Sequence, residues 1–98
     1  MKNISAVVIA KNEENIIADC LDSLSFCNEV IVVDGGSEDR TQDIAKRIGA
    51  KVFTFKTNDF SEIRNIGLHK AKGEWIFYVD ADERVSAELA ESIKYQVL

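Results

Sequence analysis

The chain has 98 residues, which is enough for one small domain but not for two. Hydrophobic residues make up 46% of it and charged residues 30%, a balance typical of a globular protein with a buried core. The net charge of -5 argues against a general nucleic-acid-binding protein, because such proteins need surplus lysine and arginine to replace the counterions of the phosphates.

The amino-terminal segment and the two cysteines predict a mature cytoplasmic protein. The first apolar run ends at Lys11 and is too short for a signal peptide. No stretch approaches the roughly 20 apolar residues of a membrane span. Cys20 and Cys27 do not amount to a disulfide framework, so we expect both to be reduced thiols.

Four short segments rich in β-branched and aromatic residues are predicted to be strands. The first, second and fourth are nearly continuous apolar runs, which is the pattern of strands covered on both faces in a parallel sheet. The four predicted strands are Ile4–Ala10, Glu29–Val33, Lys51–Phe55 and Trp75–Val79.

Amphipathic patterns between the strands predict helices, so that strands and helices alternate along the chain. Crossovers between parallel strands are nearly always right-handed, and the sequence therefore predicts a Rossmann-like three-layer α/β sandwich with a mainly parallel sheet. Gly49 and Gly73 are predicted to close the second and third helices, and Ser86 to cap the fourth. The first three predicted helices are Asn15–Leu24, Asp39–Ile48 and Phe60–Lys72.

Polar residues follow three of the predicted strands directly. In open α/β sheets, ligands bind outside the carboxyl ends of the strands, so these three clusters are expected to converge on one edge of the sheet. The clusters are Lys11–Glu14, Asp34–Asp39 and Asp80–Glu83.

Asp80 and Asp82 form the cluster with the clearest chemistry. Two carboxylates two residues apart repel each other unless they are protonated or bridged by a cation. Mg²⁺ typically binds one or two carboxylates together with substrate phosphates, so the pair predicts a divalent metal site. The alternative is an acidic loop before the next helix, where carboxylates are favoured near the amino terminus.

The other clusters allow both a binding and a structural interpretation. Gly35 permits close approach to a ligand and Asp34 can accept hydrogen bonds, but the same residues also suit a plain turn between strand and helix. Asn12 and Glu13 either contact a ligand or begin a solvated helix. Arg64, on the third predicted helix, either contacts a ligand or lies on the surface.

Other features favour structural roles. Trp75 and Tyr78 are predicted to belong to the sheet core, and His69 to the surface. The sequence contains neither a G-x-G-x-x-G fingerprint nor a G-K-[ST] phosphate loop. It therefore lacks the signatures of Rossmann dinucleotide-binding proteins and of P-loop proteins.

Three strings of the sequence resemble a known family. VVIAKNEE, VIVVDGGSEDRT and RNIGLHKAKGEWIFYVDADE, in this order, resemble the amino-terminal part of inverting family 2 glycosyltransferases of the GT-A fold. The similarity runs from about Ile4 to Glu83. The strings AKNEE and DADE are similar to bacterial members that build lipopolysaccharide cores and related cell-envelope polysaccharides.

The resemblance implies a role for the whole chain. Residues 1–98 correspond to the nucleotide-sugar-binding part of a GT-A domain, and the acceptor-binding part is absent. A sheet of four strands ends with an unpaired edge, so we expect a truncated domain whose catalytic base lies beyond Leu98.

The resemblance also implies which residues bind the donor. The loop from Ala10 to Glu13 lines the nucleotide pocket, Asp34 contacts the base, and Asp80 and Asp82 match the DxD motif that binds Mg²⁺ or Mn²⁺. The implied nucleotide-sugar-binding residues are Ala10, Asn12, Glu13, Asp34, Gly35, Arg64, Asp80 and Asp82.

The implied reaction is sugar transfer with inversion from a nucleoside-diphosphate sugar to a glycan or lipid acceptor. The resemblance implies a UDP-sugar as the donor. We expect this chain alone to bind the donor without turnover, and the complete enzyme to act in the cytoplasm or at the inner face of the membrane. The sequence leaves three alternatives open: a metal-dependent nucleotidyltransferase, an aspartate-based phosphatase and a receiver-like binding module.

Overall fold

The computed structural model describes residues 3–57 and 59–97. Strands and helices alternate throughout, as the sequence predicts. The strands are β1 (Ile4–Ala10), β2 (Glu29–Asp34), β3 (Lys51–Thr54) and β4 (Trp75–Asp80). The helices are α1 (Ile17–Asp22), α2 (Thr41–Ile48), α3 (Phe60–Lys70) and α4 (Ala87–Val97).

The four strands form one parallel sheet in the order β3-β2-β1-β4. The register brings the ends of three strands to one level, because Ala10 pairs with Asp34 and Ile9 pairs with Asp80. The loops that follow β1, β2 and β4 therefore begin side by side at the carboxyl edge of the sheet.

Helices cover both faces of this sheet, which confirms the predicted three-layer sandwich. Alternate residues of β1 point to opposite faces. Ala6 and Val8 join the core under α1, α2 and α4, whereas Val7 joins Ile63 under α3. Ala6, Val7 and Val8 are completely buried, as expected for the central strand.

Helix α3 lies especially close to β1 because Gly67 faces the sheet. A Cβ atom built on Gly67 would overlap the side chain of Val7. The absence of a side chain at this position therefore sets the distance between the helix and the strand.

The predicted helix ends are only partly correct. Gly49 ends α2 in the left-handed conformation with φ 103°, which confirms the prediction. Ser86 accepts a hydrogen bond at Oγ from the backbone nitrogen of Leu89 (3.1 Å) and so caps α4 as predicted. The prediction for Gly73 is wrong: α3 ends at Ala71 in an extended conformation, and Gly73 instead donates its backbone N–H to Ser5 Oγ (2.8 Å).

The prediction that Trp75 and Tyr78 belong to the core is also wrong. Both lie on β4, an edge strand of the described sheet, and they are 45% and 38% exposed. Across residues 3–57 and 59–97, we find no helix with the length and hydropathy that crossing a membrane requires.

Candidate functional site

A cavity of about 410 Å³ opens at the carboxyl edge of the sheet, within the size range of small-molecule sites. It lies where the ends of β1, β2 and β4 come together. Five of the predicted site residues line it: Ala10, Glu13, Gly35, Asp80 and Asp82. The remaining lining residues are Ile9, Lys11, Thr57, Ile63 and Ala81.

The turn after β4 forms an exposed acidic cluster at one side of this cavity. Carboxylate oxygens of Asp80, Asp82 and Glu83 lie within 4.8 Å of one another. Two reciprocal hydrogen bonds shape the turn, from Asp80 N to Glu83 Oε1 and from Glu83 N to Asp80 O, both 2.9 Å. Because Ala81 N also donates to Ile9 O (3.2 Å), the turn is attached to the end of β1.

The sequence places Glu83 in this polar cluster, but only Asp80 and Asp82 were predicted to be metal ligands. The available signal is its position three residues after Asp80, which is the spacing at which a side chain returns to the backbone of a turn. Three carboxylates offer the hard oxygen ligands that Mg²⁺ and Mn²⁺ prefer, so the donor set fits the predicted metal.

Cys20 lies beneath the acidic turn and does not add a ligand to it. Its Sγ donates to Asp80 O (3.7 Å), and burial raises the pKa of the thiol to about 11, with further contributions from the charges of Glu83, Asp82 and Asp80. The thiol is therefore neutral at physiological pH, and its sulfur is not part of the cluster of three carboxylates.

The loop after β1 is hydrogen-bonded to the loop after β2. Asn12 has the left-handed φ of 55°, its backbone N–H donates to Ser37 Oγ, and its Oδ1 accepts from Glu38 N, both at 2.8 Å. The backbone N–H of Glu13 donates to Thr41 Oγ1 (2.8 Å). Asn12 therefore joins two loops. It does not line this cavity, but it lines the depression that adjoins it.

Asp34 is completely buried within the turn that follows β2. Its Oδ2 accepts from the backbone nitrogens of Gly36 (2.9 Å) and Ser37 (2.6 Å) and from Gln42 Nε2 (2.8 Å), while its Oδ1 accepts from Ser37 Oγ. The carboxylate thus holds its own loop, and it does not line the cavity.

Arg64 lies apart from the other predicted site residues. Its guanidinium carbon is 5.6 Å from the centre of the Tyr78 ring, on the surface between α3 and β4. Its carbonyl oxygen accepts a hydrogen bond from the Tyr78 hydroxyl (3.5 Å). The structure does not bring this arginine into the lining of the cavity.

A second depression of about 480 Å³ continues the cavity toward β3. The two share Lys11, Gly35 and Thr57. The second depression also contains Lys56, whose aliphatic chain covers Gly36. One continuous groove therefore runs from the acidic turn to a region that carries two lysines.

Comparison with known proteins identifies the family. The sequence model of the family "Glycosyl transferase family 2" matches residues 5–94. The chain belongs to glycosyl transferase family 2. An uncharacterized glycosyltransferase of Rickettsia typhi is 40% identical over 96 residues, and the alignment covers 97% of this chain but 33% of the relative. Family membership favours the glycosyltransferase over the other three alternatives that the sequence left open.

Solved structures of other proteins share the fold. Residues 1–349 of S. aureus TarS match with a TM-score of 0.85 and 28% identity, over 97% of this chain and 32% of that TarS fragment. The glucosyl-3-phosphoglycerate synthase of Mycobacterium tuberculosis, solved with Mn²⁺, UDP and glucosyl-3-phosphoglycerate, matches with a TM-score of 0.75 and 27% identity, over 85% of this chain and 36% of the enzyme. The predicted GT-A type of fold is confirmed. This chain spans about a third of the length of these relatives.

Proposed function

We propose that this chain is the donor-binding part of a glycosyltransferase that transfers a sugar from a UDP-sugar to a glycan or lipid acceptor, with inversion and with Mg²⁺ or Mn²⁺. The observation that carries the proposal is the cavity at the carboxyl edge, which combines an acidic turn with Glu13 and Gly35 from two other strand ends. The complexes of TarS with UDP and of the mycobacterial synthase with UDP and Mn²⁺ add support.

Asp80, Asp82 and Glu83 would hold the cation, because they are exposed and close enough for one ion to contact all three. A divalent ion bound there would stabilise the negative charge that develops on the departing nucleoside diphosphate. The mutual repulsion of three neighbouring carboxylates also favours binding of a cation before or together with the nucleotide.

The other lining residues suit the uncharged and anionic parts of the donor. Ala10 and Gly35 present little side-chain bulk, so the ligand can approach the ends of β1 and β2. Glu13 offers a carboxylate to ribose hydroxyls, and Lys11 offers a positive charge to the diphosphate. We assign the acceptor site and the catalytic base to parts of the full-length protein outside these 98 residues, since the relatives are about three times as long.

Arg64 and the narrower biological assignments stay predictions. Contact between Arg64 and the nucleotide requires the guanidinium to leave its position over Tyr78. The lipopolysaccharide-core subgroup and the cytoplasmic location, predicted from the sequence, are part of the proposal as well.

The test is metal-dependent binding of UDP, measured by calorimetry and by thermal unfolding with and without Mn²⁺. A ligand at one hundred times its Kd contributes about 2.7 kcal/mol to stability, which raises the Tm of a domain of this size by roughly 10–20 °C. We expect Asp82→Asn to remove the part of UDP binding that depends on Mn²⁺. The control is Asp22→Asn, which alters an exposed aspartate at the end of α1.

Two results would contradict the proposal. One is a wild-type protein that binds no nucleoside diphosphate at any Mn²⁺ concentration. The other is an Asp82→Asn variant whose UDP affinity in Mn²⁺ equals that of the wild type and of Asp22→Asn.

A further inference from the structure

The hydroxyl group of Ser37 is the link between the two loops that border the groove. It donates its proton to Asp34 Oδ1 and accepts the backbone N–H of Asn12 (2.8 Å). An ionised carboxylate can only accept hydrogen bonds, so Asp34 fixes the direction of the Ser37 O–H and turns an oxygen lone pair toward Asn12. Asp34, Ser37 and Asn12 therefore form a directed chain of hydrogen bonds, called here the serine relay.

The buried end of the serine relay is held by several hydrogen bonds. Asp34 is completely buried and is held by two backbone N–H groups and by Gln42 Nε2. A buried carboxylate with this many partners is costly to move, because each broken bond leaves a buried polar group unsatisfied. The position of the Ser37 hydroxyl is thus determined by the end of β2.

The exposed end of the serine relay controls the loop that lines the cavity. Asn12 adopts a φ of 55°, a left-handed conformation that asparagine tolerates better than most residues and that neighbouring contacts stabilise. Two contacts do so here, at the backbone N–H from Ser37 and at Oδ1 from Glu38. The residues on either side, Lys11 and Glu13, line the cavity.

We propose that Ser37 is a positioning residue for nucleotide binding, which sets the conformation of the Ala10–Glu13 loop through the serine relay. Asp34 lines neither the cavity nor the adjoining depression, so it acts on the nucleotide through this loop. Asn12 holds the loop and also lines the depression next to the cavity. This inference rests on the proposed function, and it concerns the nucleotide end of the groove only. The acidic turn that would hold the cation lies after β4 and has no bond to the serine relay among those described.

The experiment compares Ser37→Ala with Ser37→Thr. Alanine removes both hydrogen bonds of the hydroxyl, whereas threonine keeps a hydroxyl on the same carbon. We expect Ser37→Ala to bind UDP at least fivefold more weakly than the wild type at saturating Mn²⁺, and Ser37→Thr to bind within twofold of the wild type. The affinity for Mn²⁺ alone, measured by electron paramagnetic resonance, should be unchanged in both variants. A general loss of structure would lower both affinities together.

Amide hydrogen exchange gives a readout that does not depend on the nucleotide. The backbone N–H of Asn12 should exchange at least tenfold faster in Ser37→Ala than in the wild type or in Ser37→Thr. If Ser37→Ala does not fold, Asn12→Ala and Asn12→Gly test the same loop. Glycine adopts positive φ without cost, so the glycine variant should bind UDP more tightly than the alanine variant.

The outcomes separate this inference from the proposed function. A wild type that binds UDP together with a Ser37→Ala variant that binds equally well overturns the positioning role alone. Unchanged exchange at Asn12 in Ser37→Ala does the same. A wild type that binds no nucleoside diphosphate overturns the proposed function, and the positioning role falls with it.

Discussion

Glu29 joins several parts of the fold at the amino edge of the sheet. Its carboxylate accepts hydrogen bonds from Ser5 Oγ, from the backbone nitrogen of Lys72 (2.7 Å) and from Lys51 Nζ (3.0 Å). Partial burial by itself would raise the pKa of Glu29. The three hydrogen bonds and the charge of Lys51 outweigh it and lower the pKa from 4.5 to about 2.

This lowered pKa predicts how stability depends on pH. Between pH 4.5 and 2 the unfolded chain binds a proton at Glu29 that the folded chain does not. The contribution of Glu29 is therefore fully present above pH 4.5 and is lost as the pH falls toward 2. We expect Glu29→Gln to flatten the pH dependence of the free energy of unfolding in this window, as measured by urea titrations.

The control for this prediction is Glu74→Gln, which alters a glutamate that is exposed and lies just before β4. It should leave the pH dependence as it is in the wild type. An unchanged slope between pH 4.5 and 2 in Glu29→Gln would show that the three hydrogen bonds do not discriminate between the charged and the neutral carboxyl group.

Residues at strand ends were predictable from the sequence, and residues that join loops were not. Asp80, Asp82 and Gly35 follow apolar strands, so the topology alone places them at one edge. The internal hydrogen bonds of Asp34 and Asn12 depend on partners such as Ser37, which lies 25 residues after Asn12. No periodicity or turn signal in the sequence encodes a pairing of two loops across that separation.

The contact between α3 and β1 predicts a cost for a larger side chain at Gly67. Alanine favours helices by about 1 kcal/mol over glycine, but its Cβ would overlap Val7 in the core. Overpacking of this kind costs about 1–3 kcal/mol, so the steric cost should exceed the gain in helix propensity. We expect Gly67→Ala to lower the free energy of unfolding, and Val7→Ala to lower it less in the Gly67→Ala background than in the wild type.

Chemical denaturation of the two single variants and the double variant tests this coupling. The double variant should be more stable than the sum of the two single changes predicts. Strict additivity would mean that α3 moves away from the sheet at little cost.

At the end of α2, the backbone conformation of Gly49 limits substitution, whereas there is ample space for a side chain. A Cβ at Gly49 would meet nothing within 4 Å, but its φ is 103°. We expect Gly49→Ala to lower the free energy of unfolding by about 1 kcal/mol, and Gly49→Asn to lower it less, because asparagine tolerates the left-handed conformation better. Thermal unfolding of both variants measures the difference, and equal losses would contradict this account.

Strand bounds were predicted within a residue, and helix bounds were not. The strands are delimited by sharp changes from apolar to polar residues, as at Ala10 and Lys11. Helix α1 begins at Ile17 and ends at Asp22, shorter at both ends than predicted. The apolar stripe continues past this helix because Leu24 is buried in the turn that follows it. Burial alone therefore did not distinguish helix from turn.

At the scale of the whole molecule, the sheet order determines which strands are buried in the core. β1 lies between β2 and β4, and its residues enter the cores on both faces. β3 and β4 lie at the two edges of the described sheet, and β3 contains no fully buried residue. The groove lies at the ends of the central strands β1 and β2. Residues that follow β3 form one side of it, and residues that follow β4 form the other.

This arrangement predicts a pattern of native-state hydrogen exchange. In a central parallel strand, successive backbone N–H groups bond alternately to the two neighbouring strands, so every N–H in β1 is bonded. In an edge strand only every second N–H has a partner strand. We expect slow exchange at consecutive amides of β1 and β2, and an alternation of slow and fast amides along β4 up to Val79, when the isolated chain is studied by NMR in dilute solution. The amide of Asp80 departs from the alternation because it donates to Glu83 Oε1.

The alternation along β4 also reports on association. If a second strand pairs with the outer edge of β4, the fast amides become bonded and the alternation disappears. Continuous protection of Trp75–Asp80 that grows with protein concentration would therefore mean that β4 is not an edge in solution. Continuous protection at every concentration would instead contradict the sheet order β3-β2-β1-β4 for the isolated chain, because that order leaves β4 only one neighbour.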